Sequence, residues 1–138
     1  MKKELKNLMI IAMEARNYAY CPYSYYSVGA ALLCADGRIV TGSNIENASY
    51  GVSNCAERTA FFKAVSEDER EFEAIAIVGA LENTEPTEYA YPCGICRQVM
   101  SEFCHDDFKV IVARSIDDYK IYTLGELLPA SFGGDSIK

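Results

Sequence analysis

Positive charge is scarce in this chain. Its 138 residues carry 13 lysines and arginines against 20 aspartates and glutamates, a formal net charge of −7. Contacts to a phosphate backbone need basic side chains, so duplex DNA and long RNA are not expected partners, whereas a small neutral ligand is compatible. Long apolar runs are missing as well. No stretch reaches the roughly 18 residues of a membrane-crossing helix, so no membrane partner is expected. Nor is there an export signal. Met1-Lys2-Lys3-Glu4-Leu5-Lys6 is basic, but Glu14 and Arg16 break the apolar segment behind it, which reads instead as an amphipathic helix. The expected compartment is the cytoplasm. Repeats, low-complexity segments and linkers are also lacking. With 50% of residues hydrophobic, the expectation is one domain, residues 1–138, with a real core.

Six cysteines could form a disulfide framework in a secreted chain, but in the cytosol thiols stay reduced. Cys21, Cys34 and Cys104 then need no role beyond that of small buried apolar residues. The other three sit in two compact motifs. In Ser53-Asn54-Cys55-Ala56-Glu57-Arg58-Thr59-Ala60 a thiol, a carboxylate and a guanidinium fall within four positions. Asn54 is a good N-cap, and Ala60, Phe61, Ala64 and Val65 supply a buried helical stripe behind it. The positive end of the helix dipole favours the Cys55 thiolate, the form that binds metal. At the first turn Cys55 and Glu57 can both reach a ligand beyond the helix end. In Pro92-Cys93-Gly94-Ile95-Cys96-Arg97 two further cysteines, with two residues between them, open another helix.

A structural zinc is closed by four protein ligands; a catalytic one keeps three and leaves a position for water. Cys55, Cys93 and Cys96 make three, and Glu57 stands beside them. A zinc there would lower the pKa of its water. Three thiolates leave the site formally at −1, which Arg58 can offset by bonding to sulfur, Arg97 being a lesser candidate. Glu57, not needed as a ligand, can move protons between water, a substrate ring nitrogen and a leaving amine. Two rival readings use the same residues. One is a structural zinc module with Cys104 or His105 as fourth ligand. The other is a metal-free thiol–disulfide centre at Cys93 and Cys96.

The chain reads in order as α-β-β-α-β-α-β-β-α. A helix over 3–20 ends at Tyr20-Cys21-Pro22. Strands follow over 28–34 and 39–43, joined by an Asp36-Gly37 hairpin turn. The Cys55 helix, a strand over 74–80, the Cys93 helix and strands over 109–114 and 119–122 come next. Thr123 and Glu126 form a capping box on a short last helix, and Phe132 begins a tail. Strands alternating with helices predict an α/β sheet covered by helices. Tyr18, Tyr20, Tyr23, Tyr25 and Tyr26 read mostly as a wall between helix and sheet, with one or two free to line a pocket for a flat ring. At the end of the second strand, Asn44 and Glu46 face the same side and can read two vicinal hydroxyls.

These motifs together resemble the zinc deaminases of nucleosides and bases, a class whose three-cysteine ligand set and glutamate proton carrier are a known pattern. Pro22-Tyr23-Ser24, Val28-Gly29-Ala30-Ala31-Leu32, Asn44-Ile45-Glu46-Asn47, Cys55-Ala56-Glu57-Arg58-Thr59-Ala60 and Glu126-Leu127-Leu128-Pro129 are similar to the short, homotetrameric cytidine deaminases, over nearly the whole chain. The resemblance implies a three-layer α-β-α sandwich around a mixed five-stranded sheet. It implies hydrolytic deamination of cytidine and 2′-deoxycytidine in pyrimidine salvage, with one zinc per chain on Cys55, Cys93 and Cys96, Glu57 as proton shuttle and Arg58 behind the ligands. It assigns substrate contact to Asn44, Ile45, Glu46, Tyr26 and Ala56, and cross-subunit contact to Ala48, Tyr50 and Phe132 in a homotetramer. Tyr26 stands where that family usually has phenylalanine, and Tyr91 where it often has serine. A deaminase of a modified cytosine nucleoside fits the same superfamily, though Asn44-Ile45-Glu46-Asn47 favours an ordinary nucleoside.

Overall fold

The computed structural model describes residues 2–137. Helix α1 (Lys2–Ala15) leads to the hairpin β1 (Tyr26–Cys34) and β2 (Ile39–Ser43), then α2 (Ala56–Ser66), β3 (Phe72–Leu81), α3 (Gly94–Phe103), β4 (Lys109–Ser115), β5 (Asp118–Thr123) and α4 (Leu124–Leu127). The five strands form one sheet in the order β2-β1-β3-β4-β5. Among neighbouring strands only β3 and β4 pair parallel, joined by the crossover helix α3; the other crossover, α2, joins β2 to β3, which lie on either side of β1. The other neighbours are antiparallel. This is the mixed five-stranded sheet expected.

Alternation along the strands sorts the core into two layers. Ala30 and Leu32 of β1, Ile75 and Ile77 of β3, and Val110 and Val112 of β4 face α2, α3 and α4. Ala31, Ala74, Ala76, Val78, Ile111 and Ala113 face Leu8, Met9 and Ala12 of α1. Phe61 of α2 is fully buried among Phe72, Phe103 and Phe108. Burial of such a ring contributes about 2–3 kcal/mol. Helix α2 lies unusually close to β2, and Gly42 makes this possible. A Cβ there would sit 2.3 Å from Ala56 O and 2.6 Å from Ala60 N.

Local signals hold at the turns and caps. Cys34 N donates to Arg38 O across the Asp36-Gly37 turn, where Gly37 has φ +94°. Thr123 and Glu126 cap α4 reciprocally. Two expectations change. The first helix stops at Ala15, with one 3₁₀ turn over Arg16–Tyr18, instead of running to residue 20. The backbone of Tyr20 is needed elsewhere: its N–H donates to Asn44 O and its carbonyl accepts from Glu46 N. The tyrosines form no internal wall either. Tyr18, Tyr20, Tyr23 and Tyr25 are exposed on the single chain. Phe132 docks through its carbonyl, which accepts from Gln98 and Ser101, while its ring stays 64% exposed. Among the described residues no helix is long and apolar enough to cross a membrane.

Candidate active site

A pocket of about 400 Å³ opens where β1, the end of β2 and the starts of α2 and α3 converge. The starts of the two helices supply its chemistry. Cys55 and Cys93 are the residues immediately preceding α2 and α3, and Cys96 lies in the first turn of α3. Their sulfurs lie within 4.8 Å of one another. Cys55 and Cys93 are 3.7 Å apart, Cys93 and Cys96 3.3 Å. A tetrahedral zinc with thiolates at its usual bond length would hold them about 3.8 Å apart, so the donor set fits zinc after small adjustments. Neither Cys104 nor His105 joins this group among the described residues. Cys104 ends the ten-residue helix α3, far from its start. That removes the four-ligand structural reading.

The electrostatics favour one thiolate first. Cys55 is pulled down to about 5 by the Cys96 thiol donating to it, against burial, with help from Arg58 and Cys93. Cys96 is correspondingly held up by that same bond to Cys55 and by burial. Arg58 Nη2 donates to Cys55 Sγ at 3.4 Å. Burial pulls against the charge on Arg58, but its hydrogen bonds to Cys55 and Cys96 hold it firmly protonated. Arg97 does something else: Nε donates to Pro92 O and Nη1 to Leu127 O, both at 2.8 Å, so it braces the ligand loop and touches no sulfur. Glu57 is only 4% exposed, and burial pushes its carboxyl up to about 7. A carboxyl so tuned can both give and take a proton near neutrality.

Asn54, expected as N-cap of α2, is replaced in that position by Cys55. Its amide donates instead to Thr59 Oγ1, which in turn donates to Cys55 O. The Cys55 side chain caps no helix N–H; its sulfur faces Cys93 and Arg58.

Across the pocket, Asn44 and Glu46 share a face as the alternation demands. Asn44 Oδ1 accepts from Val28 N and its Nδ2 donates to Tyr26 O, both at 2.8 Å. Glu46 accepts from Tyr23 N, Ser24 N and the Ser24 hydroxyl. Each side chain keeps hydrogen-bonding capacity for a ligand. Ile45 points the other way and is not in the pocket lining; its backbone bridges Tyr20 and Asn54. Tyr26 and Ala56 do line it. The Tyr26 ring lies over Gly79, where a Cβ would come within 2.9 Å of it. Burial, then the charge of Glu88, raises the Tyr26 phenol. Ala48, Tyr50 and Phe132 are exposed outside the pocket. Tyr89, Ala90 and Tyr91 also line it and were not read from the sequence as site residues. Their nearness to Cys93 in the chain was the available signal.

A second grouping, Cys34, Asp36 and Glu69, also lies within ligand reach. Arg38 occupies its neighbourhood, with its N–H on Asp36 and its guanidinium 3.8 Å from Glu69, and a cation there would be repelled.

Residues 2–113 match the model of the cytidine and deoxycytidylate deaminase zinc-binding region. The cytidine deaminase of Halalkalibacterium halodurans is 50% identical over 126 residues, covering 91% of this chain and 92% of that one. That of Sporosarcina psychrophila is 44% identical over 97% of this chain and 95% of its own. The crystal structure of cytidine deaminase from Burkholderia pseudomallei superposes with a TM-score of 0.83 at 45% identity, covering 91% of this chain and 97% of that one. A zinc-binding constellation on this sheet, matched over most of the chain in both sequence and structure, leaves one assignment: the chain belongs to the cytidine and deoxycytidylate deaminase family.

Proposed function

We propose that residues 1–138 form one catalytic domain that hydrolytically deaminates cytidine and 2′-deoxycytidine to uridine and 2′-deoxyuridine, releasing ammonia, as a cytoplasmic enzyme of pyrimidine salvage. The carrying observation is the buried Glu57 beside three convergent cysteines, in a pocket whose opposite side presents Asn44 and Glu46. Cys55, Cys93 and Cys96 hold one zinc per chain, which supplies Lewis acidity that makes water at the site easier to deprotonate.

The chain's own groups do the rest. Glu57 takes one proton from water and delivers it to the ring nitrogen of cytosine, where it stays, as the hydroxide oxygen bonds to C4. It then moves the remaining hydroxyl proton to the amine, so that the C4–N bond breaks, ammonia leaves and C4 becomes a carbonyl. The Ala56 N–H, one of the first in α2 and without an intrahelical acceptor, meets the base oxygen. Asn44 and Glu46 take the ribose hydroxyl, Ile45 holds their strand end through its backbone, and Tyr26 packs on the base. Arg58 balances the thiolate charge. Among the described residues no lysine or arginine lines the pocket, while Glu46 and Glu57 do, which favours a nucleoside over its phosphate ester.

The assembly proposed is a homotetramer, with Ala48, Tyr50 and Phe132 meeting neighbouring subunits. Supporting it are exposed rings at Tyr18, Tyr20, Tyr25, Tyr50 and Phe132, more apolar surface than a lone chain needs to show.

The deciding experiment follows the fall in absorbance as cytidine becomes uridine, with zinc content measured on the same sample. Turnover with about one zinc per chain is expected. Zinc without turnover of cytidine would redirect the assignment to a modified cytosine nucleoside. Neither, with thiols reduced and zinc resupplied, would overturn the three-cysteine site.

A further inference from the structure

The loop that delivers Cys93 has no ladder of its own. Residues 82–93 run from β3 to α3 without a strand or helix, yet Tyr89, Ala90 and Tyr91 wall the pocket and lead directly into Pro92-Cys93. Their placement must therefore come from contacts outside the loop. Arg16 holds the loop's start at Thr84 O, Arg97 its end at Pro92 O, and Tyr89 and Ala90 pack on the core; the polar contacts to its middle come from the β4–β5 hairpin. Tyr89 donates its hydroxyl to Asp118 Oδ1 at 2.5 Å. Arg114 Nε donates to Asp118 Oδ2 at 2.7 Å, and Arg114 Nη1 donates to Thr87 O at 3.3 Å. The Arg114 guanidinium and the Lys120 ammonium lie 4.7 Å and 4.9 Å from the centre of the Tyr89 ring. Tyr91 packs edge-on against Tyr89 at 6.5 Å and against Tyr122 at 5.8 Å, with the Tyr91 and Tyr122 hydroxyls 3.1 Å apart.

We propose that Tyr89 is a positioning residue for the nucleoside, and that the β4–β5 hairpin, through Asp118, sets the aromatic wall against which the substrate seats. This rests on the reading of the pocket as the nucleoside site. The cluster contributes geometry and not stability. The Arg114–Asp118 pair is about two-fifths exposed on both sides, and ion pairs so open to water add little to folding. The loop's ends keep their bonds to Arg16 and Arg97, so loss of the tether would shift the Tyr89 ring between them and move the wall while the fold stayed. Tyr89 itself does no chemistry: it holds the substrate's surroundings in place.

The test uses the zinc-loaded full chain, with Tyr89→Phe, Asp118→Ala and the double variant. Tyr89→Phe keeps the ring and loses only the bond to Asp118. Each single change is expected to raise KM for cytidine about three- to tenfold, leaving kcat within about twofold and the melting temperature within a few degrees. The dissociation constant for uridine, measured by calorimetry without turnover, should rise by the same factor. Because the bond that Tyr89→Phe removes is one of those that Asp118→Ala removes, the other being to Arg114, the double variant should be no worse than Asp118→Ala. Unchanged KM and uridine affinity in Tyr89→Phe would overturn the proposal, as would fully multiplicative losses in the double variant. A parent chain that neither binds uridine nor turns over cytidine would strike the reading of the pocket itself. A normal parent with indifferent variants would strike the hairpin alone.

Discussion

Arg58 donates through Nη2 to the sulfur of Cys55 at 3.4 Å, and its buried Nε meets no acceptor among the described residues. A half-buried guanidinium is thus set against the Cys55 sulfur. Three thiolates and a zinc dication sum to −1, and the guanidinium brings the cluster to neutrality. Removal of that charge would leave the thiolates more electron-donating and the metal a weaker acid. Arg58→Ala is expected to keep about one zinc per chain while kcat falls about 10- to 100-fold. Arg58→Lys should fall between, since an ammonium lacks the planar fork. Steady-state kinetics beside metal analysis decides it: an undiminished kcat would remove Arg58 from the chemistry.

Glu57 is nearly inaccessible, so an amide of the same size fits without repacking. Glu57→Gln should fold, bind zinc and melt close to the parent. Its turnover should fall at least roughly a thousandfold, because among the described residues no other carboxylate lines the pocket beside the three cysteines to carry protons. The measurement is single-turnover absorbance on variant with verified zinc. Near-parental rates would assign the proton steps elsewhere.

The parts of this molecule legible in its sequence are those whose causes are local. Thr123 and Glu126 are three residues apart, and they cap α4 as their pattern predicts. Cys93 and Cys96 announce themselves by spacing, and Cys55 by the company of Glu57. What escaped depends on distant partners. Helix α1 stops early because the backbone of Tyr20 pairs with the strand end at Ile45, a contact no local pattern encodes. Asn54 loses its cap role because α2 begins at Ala56, which puts Cys55 at the cap and leaves the Asn54 amide to donate to Thr59. Tyr89 joins the site through Asp118, 29 residues away. The exposure of the tyrosines follows from which surfaces the packed sheet and helices leave open, and hydrophobicity alone is silent on that.

Glu46 does two things at once in this structure. It faces the pocket and it ties down Tyr23 and Ser24 through three hydrogen bonds. Glu46→Ala is expected to raise KM for cytidine about tenfold or more, and to do so far less for a cytosine analogue without the sugar. Ser24→Ala, which loosens only the tether, should affect both compounds alike and mildly. Equal losses for the two compounds in Glu46→Ala would take Glu46 out of sugar recognition.

The same carboxylate gives a pH dependence with a definite sign. Its pKa is held below the ordinary 4.5, chiefly by the Ser24 hydroxyl, against burial and with help from the Ser24 and Tyr23 N–H groups. A depressed carboxyl pKa means that the tether is fully present above the ordinary value and is lost as pH falls through the lower one. Carbon-13 titration of Glu46 should show a midpoint below 4.5 that moves up toward it in Ser24→Ala. A parent midpoint at or above the ordinary value would contradict the bonded loop.

Gly42 connects the fold to the site. It sits under the first turn of α2, where a methyl group would press on Ala56 O at 2.3 Å and on Ala60 N at 2.6 Å. Both are backbone atoms, so no side chain can swing aside; the helix itself must lift, carrying Cys55 with it. Gly42→Ala should cost about 3 kcal/mol and lower the melting temperature by about 10 °C. Zinc affinity should weaken alongside, because the Cys55 sulfur would leave the reach of Cys93 and Cys96. Gly51→Ala is the matched control, since a Cβ there meets nothing within 4 Å. Thermal melts of both variants, with and without zinc, separate the two effects. If Gly42→Ala loses stability but keeps parental zinc affinity, the α2 start is free to move independently of the metal ligands. If both fall together, the contact between β2 and α2 is what holds Cys55 in place for the metal.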